Sequence, residues 1–170
     1  TLPPWFAALA TAQPAPAAVH TYLQVLGAAA VSPNFVELSP QAGVTLVPWR
    51  LTHYYDLALT PAPAAWTVFA ELARALAIPL PSGLGATAAS LAQAPSLRQL
   101  CVGLEAGAAG TLGPRLKCYW LFAGDAEVPA KAVCQAVLGH LPRGIPWPTT
   151  HIIGLDFTTA GLHDVKRYHQ

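Results

Sequence analysis

Two short stretches of the chain each place a lysine two residues before a tyrosine. Residues 116–119 read Leu-Lys-Cys-Tyr, and residues 165–168 read Val-Lys-Arg-Tyr. Alternate side chains of a strand point to the same face, so each lysine shares a face with its tyrosine. Ammonium groups bind phosphoryl oxygens through charge-assisted hydrogen bonds, and phenolic hydroxyls add donors. The spacing therefore predicts a site for a multiply charged anion, with a diphosphate as the best fit.

An earlier stretch follows the same plan less regularly. Arg50, Thr52 and Tyr54 alternate along a segment rich in β-branched and aromatic residues, and Glu37 lies on the segment before it. If the strands curve around a common interior, Arg50 joins the two lysines there, and Glu37 can accept a proton as a general base. The alternative interpretation is a solvated sheet face, on which alternating lysine and tyrosine are ordinary edge residues and Glu37 is a surface acid.

An internal repeat places an acid before each lysine stretch. Residues 102–105 read Val-Gly-Leu-Glu and residues 153–156 read Ile-Gly-Leu-Asp, each followed by a glycine-containing turn. The two copies lie about 50 residues apart, as expected for a repeated supersecondary unit. The acids, Glu105 and Asp156, are second candidates for the base, because pairing with the lysines would neutralise both partners first.

The pattern of hydrophobic and turn residues along the whole chain predicts the helices and strands that position these residues. It predicts hairpins over 35–59, 97–122 and 150–169, helices over 17–30, 62–78 and 128–141, and a loop with a weak helix over 81–95. Antiparallel hairpins separated by helices indicate an α+β fold in which helices cover one face of a sheet. We expect one domain over 1–170, made of an Ala/Pro-rich helical segment (1–34) and three hairpin and helix repeats (35–170).

The composition narrows the classes of partner. Of 170 residues, 54% are hydrophobic and 10% charged, with nine basic against eight acidic side chains, which disfavours a disordered chain or a nucleic-acid partner. Glycine and proline interrupt every long apolar run, so we predict no membrane span and expect a cytoplasmic location. Three cysteines and six histidines show neither a CxxC nor an HExxH pattern, so we predict no metal site and no disulfide framework.

The repeat strands resemble those of a known family. Residues 102–105 with 116–119, and 153–157 with 165–168, are similar to the repeat strands of the ABBA (α-β-β-α) aromatic prenyltransferases, most closely the cyanobactin peptide prenyltransferases. The resemblance runs from about residue 35 to residue 170 and includes the order of the intervening helices. It implies a β-barrel with helices outside, and transfer of a dimethylallyl or geranyl group from its diphosphate to an aromatic or heteroatom side chain of a peptide or small aromatic acceptor. Such a transferase modifies peptides in natural product biosynthesis.

The resemblance also implies roles for single residues. The diphosphate would bind Arg50, Lys117 and Lys166; the carbocation would be shielded by Tyr54, Tyr119 and Tyr168; and the catalytic base would be Glu37. Mg²⁺ would bridge the diphosphate, although the chain has no DDxxD-like pair to hold it. The absence of that pair also argues against the all-helical class of prenyl synthases.

The chain departs from the family in size. Such enzymes are about twice this length and complete a barrel with about five units, whereas three hairpins leave two open edges. The barrel could be completed by further chain after residue 170 or by a second copy that pairs its edges, or the fold could be a compact relative. We favour self-association, because the last strand would otherwise be exposed. The competing function is a non-catalytic half-barrel that binds a ligand or a protein partner.

Overall fold

The computed structural model describes residues 15–38, 49–107, 113–124, 126–143, 147 and 150–169. Within them lie four helices: α1 (Ala17–Ala28), α2 (Ala62–Ala75), α3 (Leu84–Leu91) and α4 (Glu127–Leu138). The six strands are β1 (Phe35–Leu38), β2 (Trp49–Asp56), β3 (Leu97–Ala106), β4 (Arg115–Phe122), β5 (Thr150–Thr158) and β6 (Gly161–His169).

The six strands form one antiparallel sheet in the order of the chain, from β1 to β6. Each strand pairs with the next, so the three predicted hairpins and the α+β class are confirmed. In the part of the chain that the structure describes, the sheet is open, with β1 at one edge and β6 at the other. The predicted turn at 40–43 and the start of its second strand at 44–48 lie outside the described residues, as does most of the turn between β3 and β4.

The helices pack on one face of the sheet. Along β2, Trp49, Leu51, His53 and Tyr55 are buried, while the residues between them stay partly exposed. Helix α2 seals the centre of this face, where the Trp66 ring stacks on Trp120 with centroids 6.1 Å apart. Apolar residues at period 2 in the strands and at helical spacing in α2 therefore meet in a single core. We call the opposite side of the sheet the polar face.

Two helices end before the positions predicted from the prolines that follow them, and in each case a residue in the left-handed conformation follows the helix. Helix α2 ends at Ala75 rather than 78, because Ala77 has a φ of 54° and turns the chain before Pro79 is reached. Helix α4 ends at Leu138 rather than 141, because Gly139 adopts a φ of 72° and caps it. Residues 84–91 of the predicted loop form the regular helix α3. None of the helices in the described ranges combines the length and the apolar character needed to cross a membrane.

A buried polar pair joins α1 to the sheet. The Tyr22 hydroxyl donates to the Val102 carbonyl oxygen at 2.9 Å and lies 2.8 Å from Nδ1 of His53. Since the phenol has one hydrogen, Nδ1 of His53 is the donor in the second bond. Burial disfavours the charged imidazolium and lowers the pKa of His53 from 6.5 to about 4.

This pair predicts acid sensitivity. Between pH 6.5 and about 4 the unfolded chain is protonated at His53 and the folded chain is not. Above that range His53 is neutral in both states and does not reduce the free energy of unfolding. This free energy falls by about 3 kcal/mol as the pH drops through the range. Urea unfolding of the wild type and His53→Gln at several pH values measures the difference. The exposed control His20→Gln should keep the wild-type slope, and an unchanged slope in His53→Gln would contradict the assignment.

Candidate functional site

The strand register gathers the predicted site residues on the polar face. One row across the sheet contains Tyr54, Cys101, Tyr119, Gly154 and Lys166. The next row contains Glu37, Thr52, Gly103, Lys117, Asp156 and Asp164. A third, shorter row contains Arg50, Glu105 and Arg115. The alternation read from the sequence therefore placed these side chains on one side of the sheet.

A pocket of about 180 Å³ opens on this face. Its lining consists of Glu37, Arg50, Thr52, Tyr54, Cys101, Tyr119, Leu121, Ile152 and Tyr168. Five of the seven predicted site residues are in that set. The other two, Lys117 and Lys166, lie on the same face in the ion cluster described below, outside the lining.

Aromatic rings flank the pocket on two sides. The Tyr54 ring contacts Phe35 with centroids 5.5 Å apart, and the Tyr119 ring contacts Tyr168 at 6.2 Å. Strands β2 and β4 are two strand spacings apart, about 10 Å, and in the row of the tyrosines Cys101 of β3 lies between them. The rings therefore border a slot above a small side chain. Burial, with the nearby charge of Glu37, raises the pKa of the Cys101 thiol to about 12, so this thiol stays neutral.

Glu37 and Tyr54 form a fixed pair at the edge of this slot. The Tyr54 hydroxyl donates to Oε2 of Glu37 at 2.7 Å. Partial burial raises the pKa of Tyr54, and the bond to Glu37 raises it further. The phenol therefore remains a donor, and it orients a carboxylate that faces the pocket.

An ion cluster lies beside the pocket. Asp156 accepts from Lys166 at 2.6 Å, and Glu105 accepts from Lys117 and pairs with Arg50 at 3.2 Å. Further ion pairs connect Lys117 to Asp156 at 3.8 Å, Arg115 to Glu105 at 3.7 Å, Arg115 to Asp156 at 3.8 Å and Lys166 to Asp164 at 3.9 Å. The structure thus brings Arg50, Lys117 and Lys166 together, as the sequence predicts, but pairs each of them with a carboxylate. Four cations against three carboxylates leave one positive charge.

Three of the four cations of the ion cluster are exposed enough for a ligand to reach them, and the fourth is buried. The side chains of Arg50, Arg115 and Lys166 are 37%, 33% and 27% exposed, whereas Lys117 is 6% exposed. Burial lowers the pKa of the Lys117 ammonium, and the hydrogen bond to Glu105 and the charges of Asp156 and Glu105 oppose that shift. Lys117 therefore acts as an interior counter-ion that holds the two acids, and the three exposed cations form the rim.

Two kinds of residue in this site were missing from the sequence-based prediction. Arg115 precedes Lys117 by two residues on β4, so extending the same alternation by one step would have found it. The repeated glycines are the other kind. A Cβ at Gly154 would overlap the ring of Tyr119, and one at Gly103 would lie 3.3 Å from the Leu51 carbonyl oxygen and 3.4 Å from the Cβ of Lys117. The glycine of each repeat thus makes room for a site side chain on the neighbouring strand.

This packing predicts the effect of a single methyl group. Gly154→Ala is expected to lower the free energy of unfolding by about 1 to 3 kcal/mol, because the Tyr119 ring must move away from its position over the backbone. Gly85→Ala on α3 is the matched control, since a Cβ there meets nothing within 4 Å, and it should raise stability by up to about 1 kcal/mol. Urea unfolding measures both, and two shifts of the same sign would contradict the packing.

The site does not fit a bound Mg²⁺. The two acids nearest the rim, Glu105 and Asp156, each accept from or pair with at least two cationic side chains. Octahedral Mg²⁺ needs carboxylate oxygens free to replace water, and here the lysines and arginines already neutralise them. In the described residues, no group of three or more His, Cys, Asp or Glu side chains is arranged to hold a metal ion. The carboxylates of this site are therefore not available as metal ligands.

Family models and curated proteins give no relative for this chain. No family model matches it, and a search of curated proteins finds no match. The function therefore has to be argued from the geometry of the polar face and from the resemblance of the repeat strands.

Proposed function

We propose that this chain transfers a prenyl group from an allylic diphosphate to an aromatic or heteroatom side chain of a peptide or small aromatic acceptor. We further propose that its open sheet is part of an ABBA-type barrel, completed by a second copy or by further chain. One observation carries the proposal: a cation, a carboxylate and three tyrosines from successive hairpins line the same pocket on the polar face.

The exposed cations suit the leaving group. When the allylic C–O bond breaks, its electron pair goes to the diphosphate, which gains negative charge. The rim residues Arg50, Arg115 and Lys166 can turn toward that charge, and preorganised cations stabilise it where it develops. Lys117 keeps Glu105 and Asp156 in place while the rim residues exchange their carboxylate partners for phosphoryl oxygens.

The aromatic walls suit the allylic cation. Tyr54, Tyr119 and Tyr168 present ring faces or edges to the slot, and each ring can add about 0.5 to 2 kcal/mol of cation–π attraction. The same rings keep water from attacking the cation. A pocket of about 180 Å³ favours the shorter dimethylallyl group over geranyl.

Glu37 completes the reaction as the base. As the acceptor atom bonds to the allylic carbon it loses its proton, which Glu37 takes on a carboxylate oxygen. The hydrogen bond from Tyr54 holds that carboxylate at the edge of the slot. The acceptor thus approaches from the side of β1, with the diphosphate on the side of Glu105 and Asp156.

Binding and turnover test the proposal separately. Calorimetry with the unreactive thiolodiphosphate analogue of dimethylallyl diphosphate should show binding, and mass spectrometry of a tyrosine- or tryptophan-containing peptide should show a gain of one isoprene unit. Lys166→Gln should weaken analogue binding by about tenfold or more, because a charge-assisted bond is lost. Arg98→Gln, which removes an exposed arginine bonded to the Pro95 carbonyl, is the control. Absence of analogue binding by the wild type would overturn the proposal.

A second candidate function is binding without catalysis. The open sheet of the described residues favours it, since an open pocket admits water that would quench an allylic cation. A binder would hold the prenyl diphosphate or a prenylated ligand against the tyrosines and release it unchanged. Glu37 distinguishes the two candidates, because a binder needs no base there.

A further inference from the structure

An arginine on the other face of the sheet is partly buried, and its two terminal nitrogens are buried without a hydrogen-bond partner among the described residues. Arg167 of edge strand β6 pairs across the backbone with Ile153, so its side chain lies on the helix-covered face. Its guanidinium lies over the Trp147 ring, with Cζ 4.2 Å from the centroid. Nη1 and Nη2 are both buried, and neither has a hydrogen-bond partner among the described residues.

A second buried donor without a partner belongs to the same corner of the fold. Thr150, the first residue of β5, is fully buried, and its hydroxyl has no partner in the described part of the chain. Its backbone pairs with position 169 of β6, two residues from Arg167, next to an irregularity in the ladder between Thr150 and Ile152. The Thr150 N–H donates to the Trp147 carbonyl oxygen at 3.0 Å, which ties the tryptophan to the start of β5.

Helix α4 places an ion pair beside the same tryptophan. Nζ of Lys131 lies 5.9 Å from the centroid of the same Trp147 ring and also bonds Glu127 at 2.5 Å. Burial raises the pKa of the Cys134 thiol on α4, and the charge of Arg167 opposes that rise, so the guanidinium faces the helix. The two charged residues of α4, Glu127 and Lys131, pair with each other.

An unpaired guanidinium is costly in this position. Arginine keeps its charge at any working pH, and burying a charge without hydrogen bonds costs far more than burying it with them. Stacking on Trp147 satisfies the face of the group but leaves its N–H edge unbonded. The planar fork of that edge matches two oxygens of a carboxylate or phosphate.

We propose that Arg167, Thr150 and Lys131 form a binding site for a small oxyanion, a carboxylate or phosphate group, on the helix-covered face at the β6 edge. The guanidinium fork takes two oxygens, the Thr150 hydroxyl donates to one of them, and Lys131 lies close enough to exchange Glu127 for a further oxygen. The site is separate from the pocket of the polar face, because the two lie on opposite sides of the sheet.

The test compares thermal unfolding in an anion-poor zwitterionic buffer with and without added inorganic phosphate or, separately, acetate. A concentration ten times the dissociation constant should raise the wild-type Tm by about 3 to 5 °C. Arg167→Met should unfold at or above the wild-type Tm in the anion-poor buffer, since it removes a charge whose terminal nitrogens are buried and unpaired, and it should respond to either anion much less than the wild type does. Thr150→Val should reduce the response. A response to phosphate alone assigns a phosphate group, and a response to both assigns either oxyanion.

Two control variants test whether the response is specific to Arg167 and independent of the polar face. Arg74→Met removes an exposed arginine paired with Glu71 and should respond like the wild type. Lys166→Gln removes a cation of the polar face and should keep the response, so loss of diphosphate binding there would leave this site testable. The proposal is overturned if Arg167→Met lowers the Tm equally in every buffer, which would make the stack on Trp147 sufficient. It is also overturned if Arg167→Met responds to the anions as the wild type does.

Discussion

Replacing Asp156 by asparagine is expected to lower the free energy of unfolding by about 3 to 5 kcal/mol, the range for removing one partner of a buried ion pair. Asp156 has no exposed surface, and its carboxylate bonds Lys166 at 2.6 Å and pairs with Lys117 at 3.8 Å. The amide keeps the shape of the carboxylate but not its charge. Lys117 would then be left with Glu105 as its only carboxylate partner within 4 Å among the described residues.

Urea unfolding measures this effect, and Asp164→Asn is its control. Asp164 is 51% exposed and reaches Lys166 only at 3.9 Å, so its loss should cost less than about 0.5 kcal/mol. The double variant Asp156→Asn with Lys166→Gln should recover part of the loss, because it removes a cation along with its partner. Equal, small effects of the two single variants would show that the cluster contributes little to folding.

The sequence predicted the fold well where the periodicity was strong. In β2 the buried and partly exposed residues alternate without a break, and in β5 and β6 the predicted turn at residues 160–161 is where the strands meet. These patterns depend on local side-chain direction and on the need to bury one face, both of which can be read from the residue order. The helix ends were less accurate, because Ala77 and Gly139 stop their helices through backbone angles that the proline pattern does not encode.

The sequence predicted the common face of the site residues and raised the pairing of Glu105 and Asp156 with the lysines, but it did not predict the depth of each side chain. Period 2 places Arg50, Lys117 and Lys166 on one side of the sheet, but it does not say how deep each one lies. Depth depends on the neighbouring strands: Gly103 and Asp156 flank Lys117 across the ladder, and together with Glu105 they make it an interior residue. Arg115, near the end of its strand, has no second neighbour in register and stays at the rim. Burial and partner choice therefore follow from register, which a single sequence specifies only indirectly.

Glu37→Gln is expected to leave the affinity for the dimethylallyl thiolodiphosphate analogue within about twofold of the wild type and to reduce the rate of prenyl transfer by about 10² to 10⁴, the usual contribution of a general base. Glutamine still accepts the hydrogen bond that Tyr54 donates to Glu37 at 2.7 Å, so the pocket wall keeps its shape. The amide cannot take the proton that the acceptor loses as the new bond forms. Calorimetry measures the first quantity, and single-turnover mass spectrometry of the peptide product measures the second.

The control for this variant is Glu71→Gln on α2, which removes an exposed acid from the helix-covered side of the sheet and should change neither quantity. Tyr54→Phe should fall between the two, because the carboxylate remains but loses the donor that orients it. Turnover by Glu37→Gln at the wild-type rate would mean that another group, such as Glu105 or Asp156, takes the proton. Binding by the wild type with no product from any peptide would instead make the tyrosine slot a ligand-holding surface, since cations and rings suffice to hold an allylic diphosphate but not to complete the transfer.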